Sequence, residues 1–350
     1  MPTVLLTGAA GSLGRRVLQL LADADDVEEV VAVDLVEPPS LPPGARFVAA
    51  DLATTDLKPL LEGADQVVHL SFETEEPGGD PDEAARLNAE ATRRLLDAAG
   101  AVGAEHVVLV SSATVYGAWP GNPVPLTEEA PVRPNPGAGY AVMKAEVERL
   151  GAELAAGHPG TTVAVLRPAI AVATGEPSWL ARAIGLESGL RATDDDPPLQ
   201  LVHLDDLASA VEVARRRRLD GAYNVAADGW LGGEQVRALA GSPPTVRLPQ
   251  RVVERVLGAT WRWRVGRTPP GLVPYTVHPW AVANDRLKAE GWTPAHTNEE
   301  VFVESTTGTP WSRLSPKRRQ ELALAGMAVA GVAAAAGVAL AVRRLRRRRR

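Results

Sequence analysis

Short, unbroken apolar runs punctuate the first half of the chain: Val4-Leu5-Leu6, Val30–Val33, Phe47-Val48, Gln66–Leu70, His106–Val110 and Thr162–Leu166. A run that is apolar at nearly every position reads as a strand buried on both faces. Between the runs the period changes. Apolar residues at Leu13, Val17, Leu18, Leu20 and Leu21 recur at helical spacing, and Pro81–Ala99 and Gly137–Ala156 also read as helices. Strands alternating with helices predict an α/β fold, a doubly wound parallel sheet. Later strands are expected over Leu199–Leu204 and Ala222–Ala226. From about Ala171 the pattern loosens into prolines, tryptophans and long loops, and no internal repeat is found. The predicted organisation is a first domain over 1–170, a smaller substrate lobe over 171–312 with strands returning to the sheet, and a hydrophobic helix with an arginine-rich tail over 313–350.

The turn after the first run reads TGAAGSLG, residues 7–14. Gly8 can take backbone angles closed to other residues. Gly11 lets a ligand approach the backbone, and Gly14 lets the helix pack closely on the strand. The helix N-terminus offers unpaired N–H groups and partial positive charge to a diphosphate. The second run ends on Asp34, 20 residues after Gly14. A carboxylate there suits the ribose hydroxyls of an adenosine and repels a 2′-phosphate, which favours NAD over NADP.

The fifth run leads into SSATVYG, Ser111–Gly117, and a proline-rich loop then leads into YAVMK, Tyr140–Lys144. Tyr and Lys four apart on a helix share a face. A lysine ammonium near the phenol is expected to lower its pKa, and the Ser112 hydroxyl to hold a substrate oxygen beside it. Tyr140 would exchange a proton with that oxygen while hydride moves, and Lys144 can also hold the nicotinamide ribose.

Taken with Asp51-Leu52, HLSF (69–72), LNAEATRRLLDAA (87–99), LRPA (166–169), LVHLDDLASAV (201–211) and AYNVAADG (222–229), these motifs resemble the extended short-chain dehydrogenases/reductases of NAD-dependent epimerase/dehydratase type, in particular their actinobacterial members. The resemblance covers residues 3 to about 300 and implies a Rossmann-type domain with NAD bound. It implies catalysis by Ser112, Tyr140 and Lys144. Cofactor contacts are implied for Gly8, Ala10, Gly11, Ser12, Leu13, Gly14, Asp34, Asp51 and Leu52 (beside the adenine), His69, Leu70, Ser71, Asn88 (supporting the site from the next helix), Tyr140, Lys144 and Pro168 (at the nicotinamide end). A homodimer through the helices around Asn88 and Tyr140 is a further implication. The chain departs from the family pattern in Ser71-Phe72, where HLAA is usual, in Met143, and in lacking a glycine-proline continuation over 171–198, the region that reads substrate.

Composition narrows the rest. With 45% hydrophobic residues the chain can bury a sizeable core, and with no cysteine it makes neither disulfides nor thiolate metal sites. The six histidines show no ligand spacing, so no metal is expected. No signal peptide is visible, so the catalytic part is expected in the cytoplasm. The net charge of −6 hides an asymmetry: residues 315–350 carry ten basic residues and one acidic, leaving a body of 27 basic and 42 acidic residues. An acidic body argues against a nucleic-acid partner. Residues 322–342 are 21 uncharged residues followed by seven arginines, so membrane contact through 322–350 is expected, as a span, an interfacial helix, or failing both a helix packed on a partner.

Several other features read as structural. Asp205 or Asp206 is expected to cap a helix, Asp194–Asp196 to lie in a solvated loop, and Arg215–Arg218 to form an exposed helix end. Arg286 could meet a substrate phosphate or lie at the surface, and most of the tryptophans are expected in the core. Three functions follow. The first is an NAD-dependent sugar-nucleotide epimerase or dehydratase. The second is an NAD-dependent dehydrogenase or reductase of an apolar, lipid or steroid-like alcohol or carbonyl. The third is a non-catalytic NAD-binding scaffold at a membrane, against which the intact Ser112, Tyr140 and Lys144 argue.

Overall fold

The computed structural model describes residues 1–72, 81–173, 178–183, 190–191, 196–240, 246–247, 249–262, 269–306, 315, 317–318 and 321. The strands are β1 (Thr3–Thr7), β2 (Glu29–Asp34), β3 (Ala45–Ala49), β4 (Gln66–His69), β5 (His106–Val110), β6 (Thr162–Pro168), β7 (Ile170–Val172), β8 (Leu190–Arg191), β9 (Leu201–His203), β10 (Gly221–Val225) and β11 (Val246–Arg247). The principal helices are α1 (Ser12–Ala22), α2 (Lys58–Leu61), α3 (Pro81–Val102), α4 (Gly139–Gly157), α5 (Trp179–Ala183) and α6 (Leu204–Arg216). Later helices are α7 (Gly233–Leu239), α8 (Gln250–Arg262), α9 (Asp285–Ala289) and α10 (Asn298–Thr306), with 3-10 turns at Ala113–Tyr116 and Pro270–Thr276.

Seven strands form one parallel sheet in the order β10-β6-β5-β4-β1-β2-β3. The edge strand β3, expected from Phe47-Val48 to be buried on both faces, has no fully buried residue, because it has a neighbour on one side only; each of the other runs buries alternate residues on opposite faces. Val4, Leu6, Val30, Ala32, Val68, Val108 and Ala164 pack with Val17, Leu18 and Leu21 of α1 and with Leu207, Ala210, Val211 and Ala214 of α6. Leu5, Val31, Val33, Val67, Val107, Leu109 and Val163 pack with Leu61 of α2, Leu95, Leu96 and Ala99 of α3, and Val147, Leu150 and Leu154 of α4. The doubly wound α/β architecture is therefore as the periodicity predicts. The chain reverses direction across the sheet between β1 and β4, and a ligand crevice opens outside the strand ends at such a switch point.

Two sequence expectations are corrected. The strand expected over Leu199–Leu204 is only Leu201–His203, and it pairs with β7 outside the main sheet. Leu204 already begins α6, whose burial demand takes over the apolar run. Arg215 is also not part of an exposed helix end. It is fully buried, donating from Nη2 to Asp26 Oδ1 at 2.8 Å and from Nε to Glu212 Oε2 at 2.8 Å. It faces α1 and the sheet, whereas Arg216–Arg218 point to solvent. Among the described residues no helix is long and apolar enough to cross a membrane, and the expected helix over 322–342 lies outside them.

Arg215→Met leaves two carboxylates without their shared cation. Urea unfolding is expected to show a loss of about 3 kcal/mol, and a loss under about 1 kcal/mol would mean that water replaces the guanidinium at little cost.

Candidate active site

The turn from β1 to α1 crosses the chain leaving β4 at very close range. Gly8 has φ +73°, and a Cβ there would lie 2.7 Å from Ser71 N, so no side chain is admitted. A Cβ on Gly14 would lie 1.9 Å from Gly8 O, so Gly14 lets the helix close on its own turn more than on the strand. Gly11 is the N-cap of α1 and offers the first turn no side-chain hydrogen bond, which leaves the positive helix end to an anionic ligand. Asp34 Oδ2 accepts from Ala10 N at 2.9 Å and Oδ1 from Leu35 N at 2.7 Å, fixing the carboxylate at the rim with lone pairs to spare for ribose hydroxyls.

A cleft of about 630 Å³ runs along this switch point. Of the residues expected at the cofactor, Gly8, Ala10, Gly11, Asp34, Asp51, Leu52, His69, Leu70, Ser71 and Asn88 line it, together with Thr7, Val33, Val36, Phe72 and Leu87. Ser12, Leu13, Gly14, Tyr140, Lys144 and Pro168 are outside its lining. A glycine turn with no room for a Cβ, an uncapped helix start and a rim carboxylate fit an adenine dinucleotide. His69 is buried between Thr7 Oγ1 (2.7 Å) and Thr92 Oγ1 (3.0 Å). Burial first, then the Lys144 charge, lower it to about 3, so it is a neutral strut between strand and helix.

Tyr140 stands in the first turn of α4 beside Ser112, the N-cap of the turn after β5, whose side chain acts on the phenol as a hydrogen-bonding neighbour. Ser112 Oγ also accepts from Thr114 N at 3.2 Å, which fixes the hydroxyl at the strand end. The expected trio of Ser112, Tyr140 and Lys144 is thus assembled. The electrostatics differ from expectation. Burial pushes the Tyr140 phenol up to about 12, with the Ser112 hydrogen bond opposing it. The Lys144 ammonium donates to Val110 O at 2.9 Å and lies 4.7 Å from the Phe72 ring centre and 5.9 Å from that of Tyr140. At that distance it does not offset burial of the phenol. Lys144 itself is lowered to about 8 by burial, with the Glu148 charge opposing.

Sequence reasoning missed several neighbours. Phe72 packs edge-on to Tyr140 with ring centres 5.3 Å apart, and Trp179 of α5 lies against its other side at 5.1 Å. Glu148, one turn beyond Lys144, is locked to Ser111 and Arg167. The spacing of Tyr140, Lys144 and Glu148, four and four again, was the available signal for Glu148. Only the fold reveals the aromatic pair.

The remaining candidates resolve into structural roles. His203, not an aspartate, caps α6, its Nδ1 accepting from Asp205 N at 3.2 Å. Asp206 is buried and accepts from Ala295 N and His296 N, while Asp205 Oδ1 accepts from Arg16 Nε at 2.6 Å. The fold brings His203, Asp205 and His296 together with ligand-type atoms within 4.8 Å of one another, a meeting that spacing along the chain did not reveal. Arg286 lies over the Tyr223 ring at 4.6 Å. Asp196 is ion-paired with Arg237 at 3.1 Å, and Asp194 and Asp195 lie outside the described residues. Trp280 and Trp292 are buried, whereas Trp230 is exposed.

The depressed Lys144 makes a signed prediction. Between about pH 8 and its ordinary 10.5 the unfolded chain holds a proton on this amine that the folded protein has lost, so stability from this group rises with pH. Lys144→Met removes that dependence. The stability difference between variant and native protein should therefore shift in favour of the native by about 1 kcal/mol per pH unit from pH ~8 to ~10. Urea unfolding across that window checks it, and a difference independent of pH would refute the depressed ammonium.

Known proteins share this architecture. The NAD dependent epimerase/dehydratase family model matches residues 4–226. An uncharacterised protein of Mycobacterium tuberculosis strain H37Rv is 29% identical over 249 residues, 69% of this chain and 66% of that protein's own length. A UDP-glucose 4-epimerase of Azospirillum brasilense is 28% identical over 344 residues, covering 89% of this chain and 92% of the epimerase. The crystal structure of a Thermus thermophilus UDP-glucose 4-epimerase in complex with NAD superposes with a TM-score of 0.65 at 22% identity, over 88% of this chain and 99% of that one. With the glycine turn, the rim carboxylate and the family match all falling on the same residues, the chain belongs to the NAD-dependent epimerase/dehydratase family.

Proposed function

We propose that the protein is an NAD-dependent epimerase or dehydratase of a sugar nucleotide. The observation that carries this reading is the meeting of Ser112 and Tyr140, with Lys144 one turn away, beside a glycine-lined dinucleotide cleft. When bound, NAD supplies a hydride acceptor and then a hydride donor. Gly8, Gly11 and the start of α1 receive its diphosphate and Asp34 its ribose, which disfavours a 2′-phosphate. Ser112 holds the substrate oxygen. Tyr140 takes the proton of that oxygen as the alcohol is oxidised, which draws on its minor phenolate form, and the phenol so formed returns the proton as the carbonyl is reduced. Lys144 holds positive charge beside both groups, and burial of Tyr140 keeps bulk water from the exchange. The lobe over 171–312 is read as the substrate domain.

One observation favours a second reading, a dehydrogenase or reductase of an apolar carbonyl compound. A cavity in that lobe is walled by Ala169, Pro197, Pro198, Leu199, Val236, Tyr275 and Trp280, and its charged lining residue among those described is the acidic Asp196. Mass spectrometry of small molecules retained by the gently purified protein decides between the two. Co-purifying NAD with a nucleotide sugar supports the epimerase or dehydratase. NAD with an apolar ligand sinks it in favour of the second reading.

Contact with a membrane is proposed through 322–350, where 21 uncharged residues precede seven arginines. Deleting 315–350 should release the protein from vesicles containing anionic lipid and leave NAD binding intact. Equal partitioning of full-length and truncated protein would end that proposal. A homodimer through α3 and α4 is proposed on the family likeness, and their exposed faces carry Leu87 and Val142.

A further inference from the structure

Behind Lys144 lies a buried charged network that the proposed reaction does not itself use. Glu148 Oε2 accepts from Arg167 Nη2 at 2.6 Å, and Oε1 accepts from Arg167 Nε at 3.0 Å and from Ser111 Oγ at 2.5 Å. Arg167 Nη1 donates to Tyr116 OH at 2.8 Å, and Tyr116 OH donates to Asn224 Oδ1 at 2.8 Å. Glu148 and Arg167 side chains are 10% and 8% exposed. Three strands and a helix thus meet in one network: Ser111 follows β5, Arg167 belongs to β6, Asn224 to β10, and Glu148 to α4.

Placing a paired charge in the interior is costly unless every lone pair is used. Here both oxygens of Glu148 are used, and the charge is held in one place. That place is fixed relative to Lys144 twice. Glu148 is one helical turn further along α4, and Ser111 adjoins Val110, whose carbonyl receives the Lys144 ammonium.

We infer that Glu148 is the positioning residue of this site, a carboxylate locked by Arg167 and Ser111 so that its charge stands behind the Lys144 ammonium. It acts through Lys144 and touches neither cofactor nor substrate. Among the described residues, the other groups facing Lys144 carry no charge to replace it. Tyr140, on the same helix face, stays a neutral phenol below about 12, and His69, from β4, is neutral above about 3. Phe72 covers the ammonium with an apolar ring. Arg167 is bonded to Glu148 and to Tyr116, and the Glu128 carboxylate accepts from Asn224 N at 2.8 Å. Burial drives Lys144 down to about 8 even with Glu148 in place. Without that charge, the ammonium would be lost near neutral pH.

The inference rests on the reading of Tyr140 and Lys144 as the reacting pair, but its test needs neither substrate nor turnover. The chain has four lysines, Lys58, Lys144, Lys288 and Lys317, so isotope-labelled lysine gives a simple NMR spectrum in which Lys144→Met assigns the buried signal. Glu148→Gln keeps an oxygen for Ser111 and removes the charge. The Lys144 titration midpoint should fall by about one pH unit, while Glu148→Asp should leave it near the native value. Should Glu148→Gln fail to fold with Arg167 unpaired, the charge-free double variant Glu148→Gln/Arg167→Met is read in the same way and should show the same fall. A Lys144 midpoint unmoved in whichever of these variants folds overturns the inference and leaves the proposed reaction standing. A midpoint that falls in a protein found to bind no NAD upholds the charge coupling and instead overturns the proposed reaction.

Discussion

The contact on which the site depends is the crossing of two backbones at the switch point of the sheet. The turn after β1 and the chain after β4 come so close that Gly8 has no room for a Cβ beside Ser71. That crossing sets the floor of the cleft, aims the start of α1 into it and brings Asp34 to its rim. A parallel sheet supplies this geometry because its strand ends lie on one side and its connections diverge where the order reverses. Pairing of β1 with both β2 and β4 holds the crossing in register.

Tyr140 and Lys144 are organised by dryness rather than by direct pairing. Tyr140 and Lys144 are both shielded from water, and both shift toward their neutral forms. In such surroundings a charge has long reach, and where countercharges sit matters more than how many there are. The Glu148 carboxylate is bonded to Ser111 and to Arg167 of β6, and Arg167 is linked through Tyr116 to Asn224 of β10. The same network therefore ties α4 to the sheet and shapes the field at the amine.

On the other side of Tyr140, residues from the second half of the chain contribute aromatic surface. Trp179 reaches the phenol from α5, and Tyr275 donates from its hydroxyl to Thr114 O at 2.8 Å, linking the 3-10 turn Pro270–Thr276 to the turn that carries Ser112. Trp280 donates to Tyr275 O at 3.0 Å and packs against its ring. This half of the chain is joined to the site through these side chains as well as through backbone, with β10 pairing with β6 and Ala283 N donating to Leu126 O at 2.8 Å. Side-chain contacts of this kind vary more easily, in keeping with one fold serving many substrates.

The sequence alone determined the parallel sheet, the glycine turn, Asp34, and the Ser112, Tyr140 and Lys144 trio, because each is written in local order. A doubly buried strand is apolar throughout, a phosphate turn needs glycines at fixed steps, and residues four apart on a helix share a face. Only the tertiary structure decided the rest. It ended the strand before Leu204, buried Arg215, turned Asp206 inward and made His203 the cap. It set Phe72 and Trp179 against Tyr140, and it left the phenol high although a lysine lies one turn away. Each of these depends on which groups from distant segments share a water-free space. Burial and charge partners are properties of that meeting, and spacing along the chain does not encode them.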